Sequence, residues 1–149
     1  MEIGVFNGEN AKTMIHLAIQ HVAPVDVEYY GFDFFHRSRF IDVQSKLDTL
    51  GCTVNLFKGD STIILPKVLH TLPKMDVIFI DGGKTRAEAS SDWRAVQTLM
   101  HDRTAVFVHN YEFSGVRWMV DHISREAFQV TILYPPGDAA TARITKPRD

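Results

Sequence analysis

Residues 1–10 read MEIGVFNGEN, an apolar run that passes directly into Gly4-x-x-x-Gly8, with a carboxylate, Glu2, two positions before the first glycine. A β-branched and aromatic run cornered by glycines predicts a strand that turns at once into a loop. Ala11, Met14, Ile15, Ala18, Ile19 and Val22 then recur at helical spacing and mark one face of a first helix. Strand, glycine-cornered loop and helix together predict the opening unit of an α/β domain.

The rest of the chain repeats this alternation. The runs EIGVF, VEYYGF, TVNLF, MDVIFI, TAVFVH, FQVTILY and ATARIT read as strands, and the first five are separated by helix-length segments. A second helix carries Phe40, Val43, Leu47 and Leu50 and ends at Gly51. A third follows Ser61, and a fourth opens with a capping box, Thr85-x-x-Glu88, and runs to about His101. Val116, Val120 and Ile123 mark a fifth. Alternating strands and helices predict a mostly parallel sheet with helices on both faces. FQVTILY and ATARIT are separated only by PPGDA, too short for a crossover helix, which predicts a C-terminal antiparallel hairpin. The expectation is one α/β domain over residues 1–149, with a Rossmann-like sheet of seven strands.

Bulk composition narrows the function. A net charge of −2 gives no electrostatic footprint for nucleic acid, and no apolar run is long enough to span a membrane. The lone Cys52 excludes an internal disulfide and a multi-cysteine zinc site, and reads as an inert thiol. The N-terminus has no signal-peptide pattern, so the expected location is the cytoplasm and the expected partner a small molecule.

In an open α/β sheet the ligand lies beyond the carboxyl ends of the strands. Those ends read Phe6-Asn7-Gly8, Gly31-Phe32-Asp33, Lys58-Gly59-Asp60-Ser61, Asp81-Gly82-Gly83-Lys84 and His109-Asn110-Tyr111. Asp33 closes the strand after the glycine loop, where a nucleoside-binding α/β protein places the acid that accepts both ribose hydroxyls. The loop has neither the phosphate cradle G-x-x-x-x-G-K-[ST] nor G-x-G-x-x-G, and Glu2 and Glu9 would oppose a pyrophosphate. A ligand with a cationic end and no phosphates suits these residues better, and S-adenosylmethionine is such a ligand.

These residues resemble the class I S-adenosylmethionine-dependent methyltransferases, and among them the small O-methyltransferases of the catechol O-methyltransferase type. The resemblance covers nearly the whole chain and rests on EIGVFNG, the acid in YGFD, GDS, IDGGKTRAEASSDW and VHNYEFSGV. It implies that Glu2, Gly4, Phe6, Gly8 and Asn10 surround the methionine end of the cofactor, that Asp33 holds the ribose and that Asp60 and Ser61 approach the adenine. It further implies a divalent metal on Asp81 and on the pair that here reads His109-Asn110, with Lys84 as general base. Relatives carry Asp-Asn at that pair.

The change from carboxylate to imidazole leaves two readings. Either the site takes a metal more tolerant of nitrogen than magnesium, such as manganese, iron or zinc, or no metal binds and His109 takes the acceptor's proton. The expected activity is O-methylation of a small hydroxylated molecule. The alternatives are an inactive cofactor-binding module and a nicotinamide-dependent oxidoreductase. The family's leading helices, which close over the acceptor, have no counterpart before the first strand, so the expectation is that the acceptor site is open, that a partner subunit covers it as in a homo-oligomer, or that the chain is a fragment of a longer protein. Trp93, Trp118, Asp92 and Arg94 read as packing or solvated helical positions, with a reservation for His36 and Arg37 as a border of the adenosine pocket.

Overall fold

The computed structural model describes residues 1–35 and 37–147; His36, and with it part of the reserved border, lies outside the described residues. The strands are β1 (Glu2–Ile3), β2 (Glu28–Asp33), β3 (Thr53–Lys58), β4 (Met75–Ile80), β5 (Met100–Val108), β6 (Gln129–Leu133) and β7 (Thr141–Thr145). They form one sheet in the order β3-β2-β1-β4-β5-β7-β6. The first five are parallel, while β7 runs antiparallel between β5 and β6. The expected Rossmann-like sheet and terminal hairpin are therefore present, and the strand order reverses beside β1.

The helices are α1 (Glu9–Ala18), α2 (Arg37–Asp48), α3 (Ser61–Val68), α4 (Arg86–Val96) and α5 (Ser114–Asp121). Ala11 and Ile15 of α1 and Val43 and Leu47 of α2 pack with Val5, Val27 and Tyr29 on one side of the sheet. Leu65, Trp93, Val96, Val116 and Val120, from α3, α4 and α5, pack with Ile3, Phe32, Ile78, Val106 and Ile144 on the other. Helices thus lie on both faces, but unequally. Ile78 and Ile80 alternate with Val77 and Phe79 along β4, and the latter two point to the α1–α2 side, where Val77 is 42% exposed.

Three boundaries differ from the sequence reading. β1 stops at Ile3 because Gly4 takes φ +87° and Phe6 φ +53°, which the pleat of a strand does not accommodate. Helix α4 ends at Val96, a 3-10 turn follows, and His101 lies on β5, which starts at Met100; the apolar residues Leu99 and Met100 are needed in the core as the chain turns back into the sheet. Val22 lies beyond α1 and is exposed.

Candidate functional site

The strand ends converge at the edge where β1 gives way to α1. Gly8 caps α1 in the left-handed region at φ +79°, a conformation glycine adopts without a Cβ penalty. Glu2 is 1% exposed and accepts hydrogen bonds from the Tyr29 hydroxyl and, at 2.8 Å, from Asn10 Nδ2. Burial raises its pKa, and these two donors offset only part of that rise. Glu2 is thus walled in rather than lining an open surface, and it orients the side-chain amide of Asn10.

Asp33 is fixed by two backbone donors, Phe6 N–H at 2.8 Å to Oδ2 and Phe35 N–H at 2.9 Å to Oδ1. One carboxylate therefore ties the glycine loop to the end of β2 and keeps lone pairs on both oxygens for a ligand. Phe6 is exposed, with the Arg39 guanidinium 4.3 Å from its ring centroid. Glu9 has less influence on ligand charge than the sequence suggests. Lys46 Nζ lies 2.5 Å from its carboxylate and 2.8 Å from the carbonyl of Asn7, so the helix start carries a compensating cation that comes from α2.

Asp60 and Ser61 are committed to local structure. Asp60 Oδ1 accepts from Thr62 N–H at 2.9 Å and caps α3, while Ser61 Oγ donates to Asp92 Oδ1 at 2.8 Å. Asp92 is the main residue the sequence misplaced. Instead of a solvated helical face it occupies a 1% exposed position beneath Gly82, its Oδ2 has no hydrogen-bond partner, and burial pushes its carboxyl up to about 6. A capping-box helix with charges on several faces gives no linear signal for which of them turns inward.

At the next two strand ends, Asp81 and His109 follow the in-register pair Ile80 and Val108 and so stand side by side. Asp81 pairs with the Lys84 ammonium. His109 Nδ1 lies 3.1 Å from Thr141 Oγ1, and Nε2 lies 3.6 Å from Asp138 Oδ1, both on the β6–β7 hairpin. Asn110 takes φ +61°, and its carbonyl accepts from Phe113 N–H. Among the described residues no three His, Cys, Asp or Glu side chains gather as metal ligands. The donor set suits a divalent cation poorly, because an ammonium already holds the one carboxylate and the imidazole faces the hairpin.

Residues 1–111 match the family model described as "Methyltransferase domain". The chain belongs to that methyltransferase family. A search of curated proteins finds no match. Among solved structures, the methyltransferase is similar to the calicheamicin methyltransferase CalS11, at 15% identity and a TM-score of 0.79 over 97% of this chain and 70% of that one. It is similar to the O-methyltransferase TomG from Streptomyces achromogenes, solved with S-adenosylmethionine, at 20% identity and a TM-score of 0.78 over 98% and 72%. An O-methyltransferase from Bacillus cereus, solved with S-adenosylhomocysteine, gives 17% identity and a TM-score of 0.78 over 97% and 72%. The fold is that of S-adenosylmethionine-dependent methyltransferases, and membership in the family sets aside the nicotinamide-dependent alternative.

Proposed function

We propose that this methyltransferase uses S-adenosylmethionine to methylate a hydroxyl oxygen of a small molecule. The observation that carries the reading is Asp33, a carboxylate anchored by Phe6 and Phe35 beside the glycine loop, with acceptor capacity left over for vicinal hydroxyls. Gly4 and Gly8 give the loop its turn, Phe6 stands exposed on it, and Asn10, held by buried Glu2, lies on the first turn of α1. The carboxylate of Asp33 suits a cationic ligand without phosphates. O-methyltransferases among the similar structures support the choice of oxygen. In this reading Asp60 and Ser61, at the start of α3, stand on the adenine side of the cofactor and act there through the α3 cap rather than through free side chains.

The bound cofactor supplies a methyl group on a sulfonium, so the protein's part is alignment and management of the acceptor's proton. Lys84, oriented by Asp81, stabilises negative charge growing on the acceptor oxygen. His109, with Nδ1–H donating to Thr141 Oγ1, takes the proton on Nε2, and the Asp138 carboxylate 3.6 Å from that nitrogen stabilises the imidazolium that results. With Asp81 and His109 engaged in this way, the residues need no divalent metal to carry out these roles. A small-molecule acceptor, a cytoplasmic setting, no nucleic-acid partner and a partner subunit over the acceptor side complete the proposal. No helix among the described residues is long and apolar enough to cross a membrane.

Calorimetry with S-adenosylhomocysteine tests the reading. Binding by the native protein, with loss of at least about tenfold in Asp33→Ala while the variant remains folded, is expected. Absence of binding by the native protein, or full affinity in the variant, would overturn it.

A further inference from the structure

A groove of about 500 Å³ opens next to Lys84 and is lined by Lys84, Thr85, Arg86, Ser114, Gly115 and Trp118. Its floor is set by Gly115, where a Cβ would stand 2.4 Å from the Lys84 carbonyl oxygen and 2.5 Å from Arg86 N, so α5 enters against the start of α4 with no side chain between them. The groove therefore joins the proposed acceptor end of β4 to the α5 helix.

Within it, Arg86 is held in an unusual way. Its guanidinium carbon lies 3.2 Å from the centroid of the Trp118 ring, and the His122 ring stacks on the same indole at 3.9 Å and 24°. Two groups so close to one ring cannot share a face, so the indole lies between the guanidinium and the imidazole. Arg86 enters no salt bridge among the described residues, whereas Lys84 is matched by Asp81. Glu88, the nearest acid in sequence, is occupied by the Thr85 hydroxyl and amide. A guanidinium this close to a ring must lie flat on it, which leaves its in-plane N–H groups free of the indole and able to receive a carboxylate or phosphate through two parallel hydrogen bonds.

We infer that this groove anchors the methyl acceptor, and that the acceptor is a small hydroxylated molecule bearing an oxyanion, a carboxylate or a phosphate, which Arg86 grips while Lys84 meets the hydroxyl. The inference rests on the methyltransferase reading for the word acceptor, but the anion site stands on its own geometry. Arg86 and Lys84 line one groove, so anion and reacting hydroxyl belong to one compact molecule.

The test uses the indole N–H resonance of Trp118, assigned by its loss in Trp118→Phe, during titration of the whole chain with benzoate, phenyl phosphate and phenol. Saturable shifts are expected for at least one anion at about tenfold lower concentration than for phenol, and the tighter anion identifies the source. Arg86→Gln should abolish that preference and Arg86→Lys should retain only part of it, because a point charge lacks the fork. Equal response to phenol, no saturable response to either anion, or an unchanged preference in Arg86→Gln would overturn the inference. Calorimetry with S-adenosylhomocysteine on the same samples separates this outcome from failure of the methyltransferase reading, since Arg86→Gln should bind the cofactor product normally.

Discussion

Gly4 lies so close to Asp81 that a Cβ on Gly4 would stand 2.2 Å from the Asp81 carbonyl oxygen. The proposed cofactor loop and the proposed acceptor strand end are therefore packed backbone to backbone. Gly4→Ala would add a clash with rigid main chain to the strain of φ +87°. It should cost on the order of 3 kcal/mol or more in urea denaturation and eliminate S-adenosylhomocysteine binding. Gly51→Ala serves as the comparison. Its φ is +74°, but the added Cβ meets only Pro24 Cβ at 3.7 Å, so it should cost about 1 kcal/mol and spare binding.

Tyr29→Phe removes one of the two donors that hold buried Glu2. The Glu2 pKa is already raised by burial and should rise further. A raised folded-state pKa means that stability is greatest below the unfolded value and declines as pH rises through the folded one. The deficit of Tyr29→Phe relative to the native protein should accordingly be larger at pH 8 than at pH 5, on the order of 1–3 kcal/mol at the higher pH. Thermal melts at the two pH values measure it, and a pH-independent deficit would contradict the assignment.

Asp92 gives a second pH signature with the same sign. Its carboxyl, pushed up to about 6 by burial, costs stability once ionised, and that cost develops as pH rises from the ordinary carboxylate range through about 6. Asp92→Asn keeps an acceptor for Ser61 Oγ and removes the charge. The variant should gain on the native protein between pH 5 and pH 8, by roughly 1–3 kcal/mol on this linkage. Chemical denaturation at both pH values reads the difference, and a gain confined to acid pH would be the wrong sign.

The proposed split between Lys84 and His109 predicts distinct kinetic phenotypes. His109→Gln, which removes the proton acceptor, should lower kcat by about 10²-fold or more with S-adenosylhomocysteine affinity within about twofold of native. Raising the pH should recover part of that loss for an acidic phenol and little for an alcohol. Lys84→Met should lower kcat with no such recovery, because the missing element is a cation and not a base. A His109→Gln variant with native kcat would reduce His109 to a latch between β5 and the hairpin through Thr141.

Asp138→Asn isolates the hairpin's share. The Asp138 carboxylate stands 3.6 Å from His109 Nε2 and is 65% exposed, so solvent weakens the pairing. The expected loss in kcat is several-fold, well below that of His109→Gln, with the melting temperature unchanged. A loss as large as that of His109→Gln would make Asp138 an equal partner in proton transfer.

The alternation of β-branched runs with helical faces, the Thr85–Glu88 box and the brevity of PPGDA were enough to determine a seven-stranded α/β sheet with an antiparallel terminal hairpin, because these are local signals of period and chain length. Glycine positions and strand-end acids likewise pointed to the candidate site, since strand ends of a parallel sheet share one edge. What only the tertiary structure decided is how those acids are used. Glu2 is sealed by Tyr29, Glu9 is offset by Lys46, Ser61 turns to Asp92, and His109 turns to Thr141 and Asp138. Each partner comes from a different element, far along the chain, so no linear spacing announces it. Burial and charge balance are properties of the packed neighbourhood, and the Arg86–Trp118–His122 stack likewise exists only because Gly115 brings α5 against the start of α4.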